Sequence, residues 1–129
     1  MRSLILDTHI ALWWLADDPR LTAPLRVRVE QSTEVYLSSA STWEVAIKLS
    51  IGKLKLDLEP GLTFASVCVA QGFRLASVDH EDAWAVLGLP MTRADPFDRL
   101  IAATARRRGW TVVTADPTFD ELDVATFRP

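Results

Sequence analysis

The sequence contains a single cysteine, Cys68, among its 129 residues. One cysteine excludes an internal disulfide and a zinc site built from several thiolates, so we expect Cys68 to be a small core residue. No apolar run approaches the roughly eighteen residues that a membrane-spanning helix needs, and the N-terminus lacks the pattern of a secretory signal. These absences predict a cytoplasmic protein without membrane contact.

Positive charge is also scarce. The chain has 14 Lys and Arg residues against 17 Asp and Glu residues, for a formal net charge of −3. This balance excludes the broad basic field of non-specific DNA binders, so any contact with nucleic acid must be local. The clearest basic cluster, residues 106–108, is expected to complement the dipole at the C-terminal end of a helix.

The composition is that of a folded domain. Hydrophobic residues make up 49% of the chain and charged residues 24%, which fits a globular protein and is too apolar for a disordered one. The sequence has no internal repeat, low-complexity segment or linker rich in Pro, Gly or Ser. We therefore expect one domain covering residues 1–129.

Short β-prone runs alternate with longer segments of helical period. We predict strands over residues 4–6, 35–38, 73–78 and 111–115. Helices are predicted from about Thr8, Ser41 and Glu81, with two more capped by Thr22 and Asp95 and with C-terminal glycines at Gly52, Gly72 and Gly109. This alternation predicts an α/β fold with a mainly parallel sheet.

Four acidic residues are predicted to meet at one edge of this sheet. Asp7 and Asp116 follow two of the strands, whereas Glu44 and Asp98 are placed in the first turns of two helices. Ligands of such folds bind in the crevice beyond the carboxyl ends of the strands. The set therefore predicts a functional site, although its members come from distant parts of the chain.

Each acid also has a local explanation. Asp7 suits a helix N-cap, and the "STWE" of residues 41–44 and the "DPFD" of residues 95–98 read as capping boxes. Asp116 precedes a proline and suits a turn. These alternatives explain the acids one by one but do not explain why four of them converge.

Converging carboxylates favour a metal site. A close pair of ionised carboxylates repels by about 1 kcal/mol in water and about 4 kcal/mol at an effective dielectric of 20. Divalent cations relieve this repulsion, and Mg²⁺ is typically held by carboxylates together with substrate phosphate. Thr114 offers a hydroxyl on the same side as Asp116, with an ordinary strand position as the alternative.

The same positions carry a family resemblance. The motifs "LDTH", "SSASTWEVAIKLSIGKL", "DPFDRLIAATARRRGWTVVTAD" and "PTF" together resemble the PIN-domain ribonucleases, and most of all the toxin subunits of VapBC-type toxin–antitoxin pairs. The resemblance covers nearly the whole chain. It implies a three-layer α/β/α sandwich that binds Mg²⁺ or Mn²⁺ and cuts RNA.

The resemblance also implies roles for individual residues. The four acids of the family fall on Asp7, Glu44, Asp98 and Asp116, which we predict as catalytic residues, with Asp7, Asp98 and Asp116 as metal ligands. Asp95, Thr114 and Arg99 are secondary candidates. Toxins of this family usually form homodimers and are silenced by a small VapB-type antitoxin, so both partners are implied here.

Three tryptophans and the two histidines are further candidates for functional residues. Trp13 and Trp14 are about 100° apart on a helix, and we expect one of them to meet a partner chain, with a helix buried entirely within its own domain as the alternative. Trp43 either lines an antitoxin groove or packs inward. His9 and His80 lack a two-histidine metal spacing and are assigned structural or surface roles, with His9 turned away from the acids.

Arg99 has several possible roles, and two other functions are possible for the protein. Arg99 is expected to grip phosphate, to pair with an antitoxin carboxylate or to form a surface ion pair. One alternative function is a non-catalytic module that binds RNA or protein. The other is a phosphatase or phosphotransfer domain, which usually needs a lysine near the phosphate, and the lysines follow only Glu44 rather than a later strand.

Overall fold

Five short parallel strands form the sheet at the centre of the protein, in the order β3-β2-β1-β4-β5. The computed structural model describes residues 3–128. The strands are β1 Leu4–Leu6, β2 Val35–Ser38, β3 Arg74–Ala76, β4 Thr111–Val113 and β5 Thr126–Phe127. The helices are α1 Thr8–Leu15, α2 Ala23–Gln31, α3 Ser39–Ser50, α4 Phe64–Ala70, α5 His80–Ala85 and α6 Pro96–Arg108, with two 3₁₀ turns at Val86–Gly88 and Pro117–Leu122.

Both faces of the sheet are buried. Successive strand residues point to opposite sides, so they enter two different cores. Leu4 and Leu6 belong to a core formed with α1, α2 and α4, whereas Ile5 belongs to a second core formed with α6. Helix α3 contributes to both cores, through Val45 on the first side and Ala40 on the second. The predicted three-layer α/β/α arrangement is confirmed, and every strand pair is parallel.

The strand order creates a crevice beside β1. Strand β1 lies between β2 and β4. The first half of the chain adds β2 and β3 on one side of β1, and the second half adds β4 and β5 on the other side. Leu6 is paired with Val113, and the Asp7 amide donates to the Val113 carbonyl at 2.9 Å. The segments that follow β1 and β4 therefore emerge side by side, at the point where ligands bind in folds of this type.

The ends of several elements match the sequence. Strands β1 and β2 have the predicted bounds, and Asp95 caps α6 with Pro96 as its first residue. Gly109 ends α6 with a φ of 73°, a left-handed conformation that glycine adopts without strain. Strands β3 and β4 are shorter than predicted, since they cover 74–76 and 111–113.

One strand was not predicted, and one helix was indicated only by its C-terminal glycine, Gly72. Helix α4 has only seven residues and begins with a reciprocal pair of hydrogen bonds between Thr63 and Ser66. Strand β5 has two residues and exists because it pairs with β4 at the edge of the sheet. Both are too short to give a clear periodic pattern.

The tryptophans of α1 correct one expectation. Trp13 and Trp14 both pack against the first core, so the premise that they cannot share one core is wrong, while contact of one of them with a partner chain stays a prediction. The guanidinium of Arg20 lies 4.4 Å from the centre of the Trp13 ring, and Trp14 contacts Phe73 edge to face and donates to Gln71 at 3.2 Å. Intramolecular contacts account for both side chains.

The expectations for Cys68, for the arginine cluster and for membrane-spanning helices can also be compared with the structure. Cys68 is fully buried in the first core, as expected, and burial raises the pKa of its thiol to about 11. Arg107 and Arg108 lie in the last turn of α6, where basic residues were expected to complement the dipole, and they also bind Asp79 and Asp82 of the α5 N-terminus. Across residues 3–128, none of the helices has the length and apolarity needed to cross a membrane.

Candidate active site

Asp7 and Thr114 form the centre of the site. Asp7 is 2% exposed, and its Oδ2 accepts a hydrogen bond of 2.7 Å from the Thr114 hydroxyl. The other oxygen, Oδ1, accepts from the His9 amide at 3.2 Å, so Asp7 also caps α1 as its local explanation requires. Thr114 lies just beyond β4 rather than within it, and the alternative of an ordinary strand residue is wrong.

Asp116 is joined to Asp7 through the same threonine. Its amide donates to the Thr114 hydroxyl oxygen at 3.0 Å, and its Oδ1 accepts from the Thr118 amide at 2.9 Å. Asp116 therefore starts the 3₁₀ turn of Pro117–Leu122 while it stays beside the end of β4. A single hydroxyl thus donates to one acidic residue and accepts from the next.

Glu44 reaches the site from the second turn of α3 rather than the first. Helix α3 begins at Ser39, and Ser38 is its cap, with the Ser38 side chain accepting from the Ala40 amide at 3.0 Å. The predicted capping box of residues 41–44 is therefore wrong. The hydroxyl of Ser41 instead accepts a buried hydrogen bond of 2.8 Å from Thr8, which ties α3 to α1.

The Glu44 carboxylate is itself buried, at 2% exposure. Its Oε2 accepts a hydrogen bond of 2.7 Å from Lys48, one turn later on α3. No hydrogen-bond donor within residues 3–128 reaches its Oε1. Since buried carboxylate oxygens are nearly always paired, this one is available to a ligand that the protein chain does not supply.

Asp98 shows that the acids converge. It lies in the first turn of α6, where its amide donates to Oδ1 of Asp95 at 2.8 Å. Burial raises the pKa of the Asp98 carboxyl to about 8, and the negative charges of Asp95, Asp7, Glu44 and Asp116 raise it further. The charges of Asp7, Glu44, Asp116 and Asp95 are therefore close enough to act on the Asp98 carboxyl.

The chemistry of this set fits a hard divalent cation. The available atoms are carboxylate oxygens, which Mg²⁺ and Mn²⁺ prefer, and the pKa of Asp98 is raised by burial first and by the neighbouring negative charges second. In the part of the chain that the structure describes, no three acidic, histidine or cysteine side chains are already arranged as a metal-binding group. Water and substrate phosphate would have to complete the coordination, as is usual for Mg²⁺.

His9 corrects a sequence-based expectation. It is not turned away from the acids, since its Nδ1 lies 3.8 Å from Oδ1 of Asp7 and the ring lines a pocket of about 220 Å³ with Trp13 and Asp116. The neighbouring Asp7 carboxylate raises the pKa of His9, and partial burial opposes this effect. His80 is exposed at the start of α5, where a surface role was expected.

Lys48 was missed as a site residue. The sequence places the lysines after Glu44 rather than after a later strand, which argues against a phosphatase. In the structure, however, Lys48 lies next to the acidic residues through its hydrogen bond to Glu44. The Glu44 hydrogen bond raises the pKa of Lys48 despite its partial burial, with a further contribution from Asp95 and Asp98. The i,i+4 spacing of Glu44 and Lys48 was the signal in the sequence that could have identified this pair.

Arg99 and Trp43 lie at the rim of the site. Arg99 donates to the Pro90 carbonyl at 2.9 Å and so supports the loop before α6, while its binding to phosphate or to an antitoxin carboxylate stays a prediction. Trp43 is 60% exposed and contacts Phe97 edge to face. The inward-packing alternative for Trp43 is wrong, and its ring lines a groove of about 290 Å³ with Leu75 of β3.

The fold and the site match a known family. The PIN-domain model matches residues 4–125, and the chain belongs to the PIN-domain family. The resemblance drawn from the sequence motifs is therefore confirmed. The chain is 32% identical over 117 residues to ribonuclease VapC22 of Mycobacterium tuberculosis, a match that covers 90% of this chain and 88% of the relative.

Solved structures share the same architecture. VapC20 of M. tuberculosis, a toxin that cleaves the sarcin–ricin loop, superposes with a TM-score of 0.65 at 22% identity and covers 98% of this chain and 100% of its own. DNA-bound VapBC of Salmonella typhimurium gives a TM-score of 0.67 at 20% identity, with 99% and 98% of the two chains covered. These similarities confirm the fold class.

Proposed function

We propose that the chain is a metal-dependent endoribonuclease that acts as the toxin of a VapBC-type toxin–antitoxin pair, with residues 1–129 forming a single nuclease domain. The observation that supports this proposal is that Asp7, Glu44 and Asp116 lie close enough to Asp98 for their charges to raise the pKa of its carboxyl, in addition to the larger effect of burial. The relative VapC22 is a ribonuclease, which supports the same activity.

In this proposal Asp7, Asp98 and Asp116 hold the cation, which is Mg²⁺ or Mn²⁺. When bound, such an ion lowers the pKa of a coordinated water and neutralises charge on the reacting phosphate. Thr114 fixes the orientation of Asp7 through its 2.7 Å hydrogen bond. The preference of hard cations for carboxylate oxygen supports these roles.

Glu44 takes a different role from the three aspartates. Its Oε2 is engaged by Lys48 at 2.7 Å, which leaves the buried Oε1 as its free acceptor. We assign Oε1 the task of accepting a hydrogen bond from the attacking water, which orients that water toward the phosphorus. Asp95 caps α6 and adds negative charge beside Asp98, so it supports the site from its edge.

The proposal includes partners and a location. Structural neighbours are complexes named VapBC, such as the DNA-bound one from S. typhimurium, and we propose a VapB-type antitoxin as the partner here. The groove lined by Trp43 and Leu75 is an exposed apolar surface for that partner. A homodimer and a cytoplasmic location, where RNA and antitoxin are made, complete the proposal.

The test is cleavage of RNA by the purified, antitoxin-free chain. Total cellular RNA is incubated with Mg²⁺, with Mn²⁺ or with a chelator, and the Asp98→Asn variant is run in parallel. We expect discrete fragments that need the metal and are absent with the variant. A folded wild-type chain that leaves the RNA intact under all conditions contradicts the proposal and favours the non-catalytic binding module.

A further inference from the structure

Lys48 places a positive charge among the acids of the site. Its Nζ lies 2.7 Å from Oε2 of Glu44 on α3, and α3 packs against α6, which carries Asp95 and Asp98. The Lys48 charge interacts with both of these aspartates, and it also acts on His9 of α1. The ammonium therefore lies within electrostatic range of Asp98, one of the carboxylates proposed to hold the metal.

Glu44 holds this ammonium in place and engages only one of its hydrogen-bond donors. The Glu44 side chain is 3% exposed, whereas the Lys48 side chain is 35% exposed. A buried carboxylate depends strongly on its partner, so the ion pair fixes a flexible lysine in one position. An ammonium has three donors, and within residues 3–128 its one hydrogen bond goes to Glu44. Two donors therefore remain for a ligand that enters the cleft.

An RNA substrate needs such a cation. Each nucleotide brings a negative phosphate to a site that already holds several carboxylates, and a bound cation offsets only part of this charge. Arg99 belongs to α6 and donates to the Pro90 carbonyl, whereas Lys48 is the charged donor that α3 supplies beside Glu44.

We propose that Lys48 binds a phosphate oxygen of the RNA substrate, with Glu44 acting as the residue that positions its ammonium. The inference rests on the proposed ribonuclease function. It assigns the Glu44–Lys48 pair a role in substrate binding beyond the stabilisation that an i,i+4 ion pair gives to a helix.

Three substitutions separate this role from a structural one. Lys48→Met removes the charge and the donors, Lys48→Gln keeps an N–H donor for Glu44 without the charge, and Lys48→Arg keeps the charge. Lys53→Met is the matched control, because Lys53 is an exposed lysine in the turn after α3. Circular dichroism establishes that each variant is folded, and Lys48→Gln serves if Lys48→Met does not fold.

The first readout is cleavage of total cellular RNA at saturating Mn²⁺ over a range of KCl concentrations. At RNA concentrations below KM we expect Lys48→Met and Lys48→Gln to cleave at least about tenfold more slowly, because each loses a hydrogen bond from a charged donor to the substrate. Losing one phosphate contact also reduces the slope of log rate against log salt by about 0.7. Lys48→Arg recovers part of the rate, and Lys53→Met behaves as the wild type.

The second readout is Mn²⁺ binding by titration calorimetry, without RNA. Because removal of a cation makes the site more negative, we expect both neutral variants to bind Mn²⁺ at least as tightly as the wild type. Weaker Mn²⁺ binding would mean that Lys48 only shapes the metal site, and it overturns the inference.

Unchanged cleavage with an unchanged salt slope in both neutral variants overturns it as well. A wild-type chain that binds Mn²⁺ but cleaves no RNA contradicts the proposed function instead, so the two failures are distinguishable.

Discussion

The Thr114 hydroxyl donates a 2.7 Å hydrogen bond to Oδ2 of Asp7 and joins two residues that are 107 positions apart in the chain. Both side chains are buried, and they follow the adjacent strands β4 and β1. This hydrogen bond holds the Asp7 carboxylate, which follows β1, against the Thr114 hydroxyl, which follows β4. The orientation of Asp7 in the site therefore depends on Thr114.

Replacing Thr114 with Val tests this dependence. The substitution keeps the shape of the side chain but leaves Oδ2 of the buried Asp7 without its partner, which costs about 1 to 3 kcal/mol of unfolding free energy. We expect RNA cleavage to fall by at least tenfold while the fold is retained. Urea unfolding and a cleavage assay measure the two effects. Thr114→Ser is the control, and equal losses in both variants would contradict a role for the hydroxyl.

Asp98 makes the stability of the metal-free protein depend on pH. The pKa of its carboxyl in the folded state, about 8, lies above its ordinary value of 3.8. A raised pKa contributes stability that is present below pH 4 and is lost as the pH rises toward 8. In chelator, the melting temperature of Asp98→Asn relative to the wild type should therefore increase from pH 5 to pH 8. A difference that stays constant over this range contradicts the predicted shift.

A divalent cation should reverse this loss for the wild type. Binding to the folded state stabilises it, and the cation favours the ionised form of Asp98. At pH 8, Mn²⁺ is expected to raise the melting temperature of the wild type and to have little effect on Asp98→Asn. Equal stabilisation of the two proteins by Mn²⁺ would place the ion elsewhere.

The ion pairs between α5 and α6 form a separate, structural cluster. Asp82 is fully buried and binds Arg107 and Arg108, and it accepts a hydrogen bond of 3.1 Å from the Asp79 amide. Burial raises the pKa of Asp82, but the hydrogen bonds from Arg108, the Asp79 backbone and Arg107 outweigh it and leave the pKa below its ordinary value. This cluster therefore contributes stability that is lost as the pH falls below 4.

Substitution of Asp82 by Asn should lower the unfolding free energy by about 3 kcal/mol, because it removes one partner of a buried ion pair. Mn²⁺ binding by the folded variant should match the wild type, since Asp82 is not among the acids that act on Asp98. Chemical unfolding and calorimetry give the two values. A stable variant, or one with weakened Mn²⁺ binding, contradicts the structural role.

Cys68 should be unreactive in the folded protein. Its thiol is buried in the first core, and burial raises its pKa to about 11, so the reactive thiolate is scarce at neutral pH. A thiol reagent such as 5,5′-dithiobis(2-nitrobenzoate) is expected to label the chain only after denaturant is added. Rapid labelling of the native protein would show that the core opens at this position.

The sequence predicts the placement of the acids better than the details around them. Residues 4–6 and 111–113 are short β-branched and leucine-rich runs, so the acids that follow them fall at strand ends whatever the exact bounds. The start of α3 was harder, because Ser38, Ser39 and Ser41 are all good caps and only packing selects among them.

Side-chain directions could not be predicted from spacing. His9 and Lys48 both reach the acids, and in each case the side chain is directed by a buried carboxylate, Asp7 or Glu44. Trp13 and Trp14 share one core although they are about 100° apart on α1, because long aromatic side chains bend toward the same buried surface. Such contacts depend on the tertiary structure.

The most direct test of the proposed metal site is Mn²⁺ binding by single variants of its proposed ligands. Titration calorimetry on Asp7→Asn, Asp98→Asn and Asp116→Asn is compared with the wild type and with Asp57→Asn, an exposed acid between α3 and α4. We expect one shared site, so each ligand variant should bind at least tenfold more weakly while Asp57→Asn binds as the wild type. Wild-type affinity in the three folded ligand variants would contradict the account.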